Sequence, residues 1–211
     1  MIAMETSAHR KSSRIRDAVS VIFEAQTYRN ILYLALSFPL GLVYFVALTV
    51  GLSLGLGLAV LLIGIGLLVV VLLGSRVVAA FERELANVLL DVTIDSPDDI
   101  SASGAGLPAS LDARMRAAST WKGLGFLYLK FWVGIAALVA LSVGVGLTLA
   151  LVTAPLHYND PNVAVTGIWT IDTLPEAIVA VPIGIIVGVL SLFVLNALAQ
   201  VSAWMAKALL D

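Results

Sequence analysis

The stretch Ile31–Ser75 reads ILYLALSFPLGLVYFVALTVGLSLGLGLAVLLIGIGLLVVVLLGS, forty-five residues without one charged side chain. As a single helix, at ~1.5 Å per residue, it would reach roughly 68 Å, about twice the ~30 Å hydrocarbon core of a bilayer. One crossing cannot use that length, but a hairpin can. The reversal is expected at Gly51-Leu-Ser-Leu-Gly55-Leu-Gly57, because glycine weakens helix and permits a turn. The first two spans are therefore expected near 31–50 and 56–75.

Outward from that hairpin, residues 131–156 and 177–206 are also uncharged. Each is long enough for one crossing, placing a third span near 126–150 and a fourth near 177–199. Composition agrees. Of 211 residues, 60% are hydrophobic and 12% charged, whereas soluble domains sit near ~50% and ~25%. Mean hydropathy is +1.03. The expected fold class is an all-α membrane protein with four transmembrane helices arranged as two tandem helical hairpins.

Orientation follows from Lys and Arg. Five precede the first span: Arg10, Lys11, Arg14, Arg16 and Arg29. Six lie between the second span and the start of the third: Arg76, Arg83, Arg114, Arg116, Lys122 and Lys130. Lys207 follows the fourth and completes the twelve. The positive-inside rule then puts both termini on the cytoplasmic side of the cell membrane. Tyr28, Tyr33, Trp121, Tyr128 and Trp204 fall near the inner boundaries, where amphipathic rings collect. Thirty charge-rich residues precede the first apolar run, which is not the pattern of a signal peptide.

The expected division is a cytoplasmic lead-in (1–30), a first hairpin (31–75), a cytoplasmic helix extension and acidic linker (76–122), a second hairpin (123–205) with an outer loop at 151–176, and a tail (206–211). In the lead-in, residues 13–28 form an amphipathic pattern through Ile15, Val19, Ile22 and Phe23. In the extension, Val77, Phe81, Leu85, Val88 and Leu89 make an apolar stripe that needs a cover. Arg76, Glu82, Arg83, Glu84 and Asn87 make the wet side. The stretch from 120 onward, the C-terminal end or a second subunit could supply the cover. Residues 91–110 mix aspartate with Ser, Gly and Pro, as a solvated linker does. Helix is expected to resume after Pro108.

The outer loop alternates polar and apolar residues from Asn162 to Ile171, consistent with a small hairpin. His157, Tyr158, Asp160, Trp169 and Asp172 could gather there and hold a ligand. A cap that closes the third and fourth spans is the favoured reading.

A shift of 93 residues aligns Thr27-Tyr-Arg with Thr120-Trp-Lys, then Leu34 with Leu127, Phe38 with Phe131, Gly41 with Gly134, and Val50-Gly51 with Val143-Gly144. Both copies start inside, so the repeat is read as parallel. Gly41, Gly134, Gly184 and Gly188 are the expected helix-packing positions, where backbones can approach. Pro39 and Pro182 are expected to kink their helices.

Catalytic material is scarce. With no cysteine there is no thiolate metal site and no cysteine nucleophile. The two histidines fall on opposite sides of the membrane, and no phosphate loop or hydrolase motif occurs. No catalytic, metal or cofactor site is expected, and no enzymatic activity. A net charge of −2 argues against a nucleic-acid partner. No carboxylate is placed deep in a span. Lys130, the deepest charge, is expected to snorkel to the inner surface.

Tyr28-Arg-Asn-Ile-Leu-Tyr33 followed by Phe38-Pro-Leu-Gly41 resembles the opening of the putative sensor domain family. Phe81-Glu-Arg83 with Leu85-Ala-Asn-Val-Leu-Leu90, Thr120-Trp-Lys122 with Lys130-Phe131, and Thr173-Leu-Pro-Glu176 leading to Val181-Pro-Ile-Gly184 and Leu195-Asn196 are similar to its later segments. The chain departs from that pattern at Gly64-Ile-Gly66, where the family often carries proline. The resemblance implies a four-helix membrane unit that occurs ahead of histidine kinase modules and also alone. It implies sensing, and supplies no ligand. This sequence ends at Asp211 without a kinase module. The expected role is a stand-alone sensor or regulatory subunit in the lipid bilayer, signalling through 76–119 to a protein partner or as a homo-oligomer. The alternatives are a structural subunit of a membrane complex and, behind it, a small transporter.

Overall fold

The computed structural model describes residues 24–97, 114–158 and 171–211. Four long helices dominate: α1 (Ala25–Gly57), α2 (Ile63–Leu90), α3 (Ala118–Val152) and α5 (Leu174–Leu210), with a short α4 (Ala154–His157) between the last two. No strand occurs among the described residues. Each long helix is long and apolar enough to cross a membrane. This is the pattern of a multi-pass membrane protein.

The helices overrun the apolar runs. The first reversal lies later than the Gly51–Gly57 expected for it, in a 3-10 turn at Ala59–Leu61 with Leu62 in the left-handed region at φ 59°. Gly51 and Gly55 stay helical and receive Val71 and Leu68 instead. The glycine that the turn needs is Gly64. A Cβ there would sit 2.3 Å from the Gly55 carbonyl oxygen and the Ala59 nitrogen. Pro39 and Pro182 both lie inside continuous helices. Helix α5 opens with a capping box: the Glu176 carboxylate accepts from the Asp172 and Thr173 N–H groups at 3.2 and 3.3 Å.

Most of the apolar stripe on the α2 extension finds no cover within this chain. Val77, Phe81 and Val88 are exposed, and Phe81 is 52% open. Leu89 of the stripe is buried, together with Ser75, Ala79, Glu82 and Ala86 from outside it. In water an apolar stripe is driven inward. Left exposed, this one is open to lipid or to another protein surface, while mostly small and polar groups take the inward side. The amphipathic pattern at 13–28 lies almost wholly outside the described residues, as do 98–110 of the linker and 162–170 of the outer loop. A helical turn at 114–116 precedes α3.

The chain divides into two compact units, one with Leu138–Ala197 and the described residues up to Ile31, the other with Leu32–Ala137 and Leu198–Asp211. In the first, Leu151, Ala154, Ile171, Ala177 and Ala180 form an apolar cluster, with Leu147, Tyr158 and Val187 packed on it. In the second, α1 and α3 cross. Their starts, Ala25 and Ala118, are 93 residues apart, the same shift that aligns the repeats. Burial repeats with it. Tyr33, Leu34, Ser37, Gly41 and Tyr44 are buried on α1, and Phe126, Leu127, Lys130, Gly134 and Ala137 on α3. The spacing alternates three and four residues, the seam of coiled-coil-like packing.

Candidate functional site: a buried ion pair at the helix crossing

The crossing is made by two glycines. A Cβ on Gly41 would meet the Phe131 Cα at 2.8 Å and the Lys130 carbonyl oxygen at 2.9 Å. A Cβ on Gly134 would meet the Ser37 carbonyl oxygen at 2.6 Å and the Phe38 Cα at 2.7 Å. Under the 93-residue shift these two sets of contacts exchange, since Phe38 matches Phe131 and Ser37 matches Lys130. The equivalents therefore flank a local two-fold. Phe45 stacks on Phe131 at 4.5 Å and meets Tyr128 edge-on at 5.7 Å. Partners rise along α1 as they fall along α3, so Gly41 and Gly134 flank a crossing point rather than meet in register.

Ser37 and Lys130 occupy equivalent places with very different chemistry. Ser37 settles its hydroxyl on the Tyr33 carbonyl, 2.8 Å away in its own helix. Lys130 cannot do this. Its side chain is fully buried, and Nζ donates to Glu82 Oε2 at 2.7 Å, on a carboxylate that is also fully buried. The ammonium stands 3.9 Å from the centre of the Tyr33 ring and 5.9 Å from that of Phe126, the two rings that the repeat equates. Aromatic faces attract a desolvated cation. Three helices thus meet on one charge: Tyr33 from α1, Glu82 from α2, Lys130 from α3. Tyr44, three turns beyond Tyr33 on the same face, stands near the same carboxylate.

The expected snorkelling of Lys130 is therefore corrected, as is the wet-side placement of Glu82. Lys130 sits four residues from both Phe126 and Gly134, on the inward seam, so its stem points at the crossing. Glu82 lies where α2 brings it opposite, with Gly123 of α3 close to Ala79 one turn earlier. A paired charge inside costs less than a lone one, though each ion still loses several kcal/mol of hydration. The pair is not fully satisfied. Glu82 Oε1 and Tyr33 Oη are buried without a hydrogen-bond partner. A carboxylate with one oxygen unmet is a group that a small change can tip.

Other polar contacts surround α2. Arg76 donates to the hydroxyls of Ser119 and Thr120 at the start of α3. Arg83 donates to the Leu210 carbonyl and to Ser96 Oγ, both at 3.3 Å. Asn87 and Ile94 bond reciprocally. The first residues after α2 are thus tied to the helix that carries Glu82. In the other unit Asn30 donates to Asn196 at 2.8 Å, and Asn196 to Thr27 at 3.2 Å.

Of the outer-loop candidates, His157 and Asp172 are exposed and Tyr158 is half-buried on the apolar cluster. Asp160 and Trp169 lie outside the described residues. Among the packing glycines, Gly184 meets Leu151 and Val152, and Gly188 meets Thr148. No group of three or more metal-ligating side chains occurs among the described residues.

The family model for the putative sensor matches residues 33–210. The chain belongs to the putative sensor family. The match runs from Tyr33, the ring under the ammonium, to Leu210, the acceptor of Arg83, so it spans the whole crossing. It supports a sensor role and points to a non-catalytic one. Neither the curated proteins nor the solved structures compared with the chain give a match.

Proposed function

We propose that this member of the sensor family is a membrane-embedded sensor or regulatory subunit that passes a membrane or extracytoplasmic signal to a separate protein partner. It sits in the cell membrane as two tandem hairpins with both termini cytoplasmic. Eleven of the twelve Lys and Arg, all but the buried Lys130, fall on one side of the spans in that arrangement and support the orientation. The observation that carries the sensing role is the Lys130–Glu82 pair. Ionisable groups inside a membrane helix bundle are costly and mark functional sites. This pair joins three helices, and it is held by an interaction that hydration could replace. Such a crossing has two arrangements of comparable free energy, and a signal need only favour one of them. The output passes through the segment 76–119, whose first part is tied to Arg83 and Asn87. Tyr158 on its apolar cluster supports the outer loop as a cap.

The chain has no cysteine, so two introduced ones report alone. Val88→Cys and Val201→Cys lie at exposed positions of α2 and α5. Spin labels there, in liposomes of different acyl-chain length and headgroup charge, should show two distances whose ratio shifts with the bilayer. One unchanging distance in every bilayer would sink the sensing role and leave a structural subunit. Replacing 159–170 by a short linker should leave a bilayer response intact. Loss of the response would move the signal to the outer loop.

A further inference from the structure

We propose that Glu82 is a proton-binding site, and that proton uptake on its Oε1 releases the α1–α3 crossing. This deepens the sensing role by naming its signal, and it rests on that role only for its purpose.

The ionised pair carries no net charge, which is why two fully buried side chains can share the site. A proton arriving on Oε1 breaks this balance. The carboxylate becomes a neutral acid, the site carries one positive charge, and Lys130 keeps only aromatic faces as partners. The groups facing the pair offer no substitute anion. From α1 they are Tyr33 and Tyr44, both phenols. From α3 the cation is Lys130 itself. On α2 the neighbouring Arg83 is turned to Leu210 and Ser96. Residues 198–211 of this unit, the end of α5 and the residue after it, have Lys207 and Asp211 as their charged side chains, and both are exposed. An unpaired ammonium in that interior must regain water. The route is separation at Gly41 and Gly134, where backbones meet without side chains between them.

Oε1 is the fitting atom for the proton. Oε2 is already engaged by Lys130, while Oε1 is buried without a geometric hydrogen bond, with the Tyr44 phenol the neutral donor near the carboxylate. Its unmet lone pairs are what a proton would occupy. The sign follows from linkage: the released state binds one more proton, so falling pH favours it. The bonds balance as one O–H formed on Oε1, with the proton drawn from the aqueous phase.

The experiment is infrared difference spectroscopy of the whole chain in liposomes, on stepping from neutral pH down through the ordinary carboxylate range, to about pH 4. Spin-label distances are recorded between Val88→Cys and Val201→Cys. Acidification should raise the carbonyl stretch of a protonated carboxylic acid, shifted in heavy water and absent in Glu82→Gln. The ratio of the two distances should change by up to about tenfold per pH unit, as a one-proton switch allows. Glu82→Leu combined with Lys130→Met keeps the crossing filled without charge. It should fold and show one distance at every pH. A missing band, a band with unchanged distances, or opening only on the alkaline side would each overturn the proposal. Distances that follow the lipid but not pH would overturn it while leaving the sensing role standing. Distances that follow pH but not the lipid would support it and exclude bilayer thickness as the signal.

Discussion

Two helix seams in this chain are built from opposite materials. In the unit containing Leu138–Ala197, α3 and α5 meet along small residues. Gly144 lies against Ser191, Thr148 against Gly188, and Leu151 against Gly184. The hydroxyls on that seam are spent inside their own helices, Thr148 on the Gly144 carbonyl and Ser191 on that of Val187. Nothing is left over. In the unit containing Leu32–Ala137, α1 and α3 also meet on glycines, but the adjoining space holds an ammonium, a carboxylate and two unmet polar atoms. The dry seam has no polar reason to leave its arrangement. The charged crossing is held by a contact that water could replace. On the proposed sensing role, the first seam holds and the second responds.

The largest effect should come from breaking the pair on one side only. Lys130→Met leaves a buried carboxylate alone, and Glu82→Leu leaves a buried ammonium. Either should lower unfolding free energy by about 3–5 kcal/mol, measured by denaturant titration in bicelles. The double substitution should recover most of that loss, because apolar side chains replace both charges. If the double variant is as unstable as the singles, the pair is structural and the contrast between the seams fails.

Next come the glycines of the crossing. Gly41→Ala and Gly134→Ala each push a methyl into backbone atoms at 2.6–2.9 Å. Backbone cannot rotate away, so each should cost about 1–3 kcal/mol. The local two-fold predicts similar losses for both. A Cβ on Gly66 would meet nothing within 4 Å, so Gly66→Ala should be neutral or gain up to ~1 kcal/mol of helix propensity. Unequal losses at Gly41 and Gly134 would sharpen the comparison by showing which repeat bears the load.

Much of this was legible in the sequence. The uncharged runs gave four helices, and the 93-residue shift paired Gly41 with Gly134, the two glycines that flank the crossing. The family resemblance held over 33–210. Helix ends were less legible, because Gly51 and Gly55 serve packing while the turn forms at Leu62. The ion pair was missed for a physical reason. Periodicity tells which residues share a face, not which face looks inward. Glu82 is therefore placed on the wet side by its pattern, although it is buried. One signal was available. Lys130 is the repeat equivalent of Ser37 and stands four residues before Gly134, so it had to share the inward seam. A lysine held there needs an anion, and Glu82 supplies it.

The smaller effects belong to the other unit. Asn196→Ala removes bonds to Asn30 and Thr27, and interhelical bonds of this kind are worth about 0.6 kcal/mol on average. Gly188→Ala should cost less still, because overpacking of ~1 kcal/mol against one side-chain end is largely offset by the ~1 kcal/mol of helix propensity that alanine adds. The added methyl would lie 3.0 Å from Thr148 Cγ2, the end of a side chain rather than backbone. Thr148 is not wholly free to turn, since its Oγ1 is bonded to the Gly144 carbonyl at 2.6 Å. Thr148→Ser keeps that bond and removes the offending methyl. In a double-mutant cycle, Thr148→Ser should therefore cancel the loss from Gly188→Ala. It should do nothing for Gly41→Ala, whose obstacle is the Phe131 backbone. A loss at Gly188 as large as that at Gly41, unrelieved by Thr148→Ser, would mean that the dry seam is as unyielding as the crossing. Rigidity would then not distinguish the two, and only charge would.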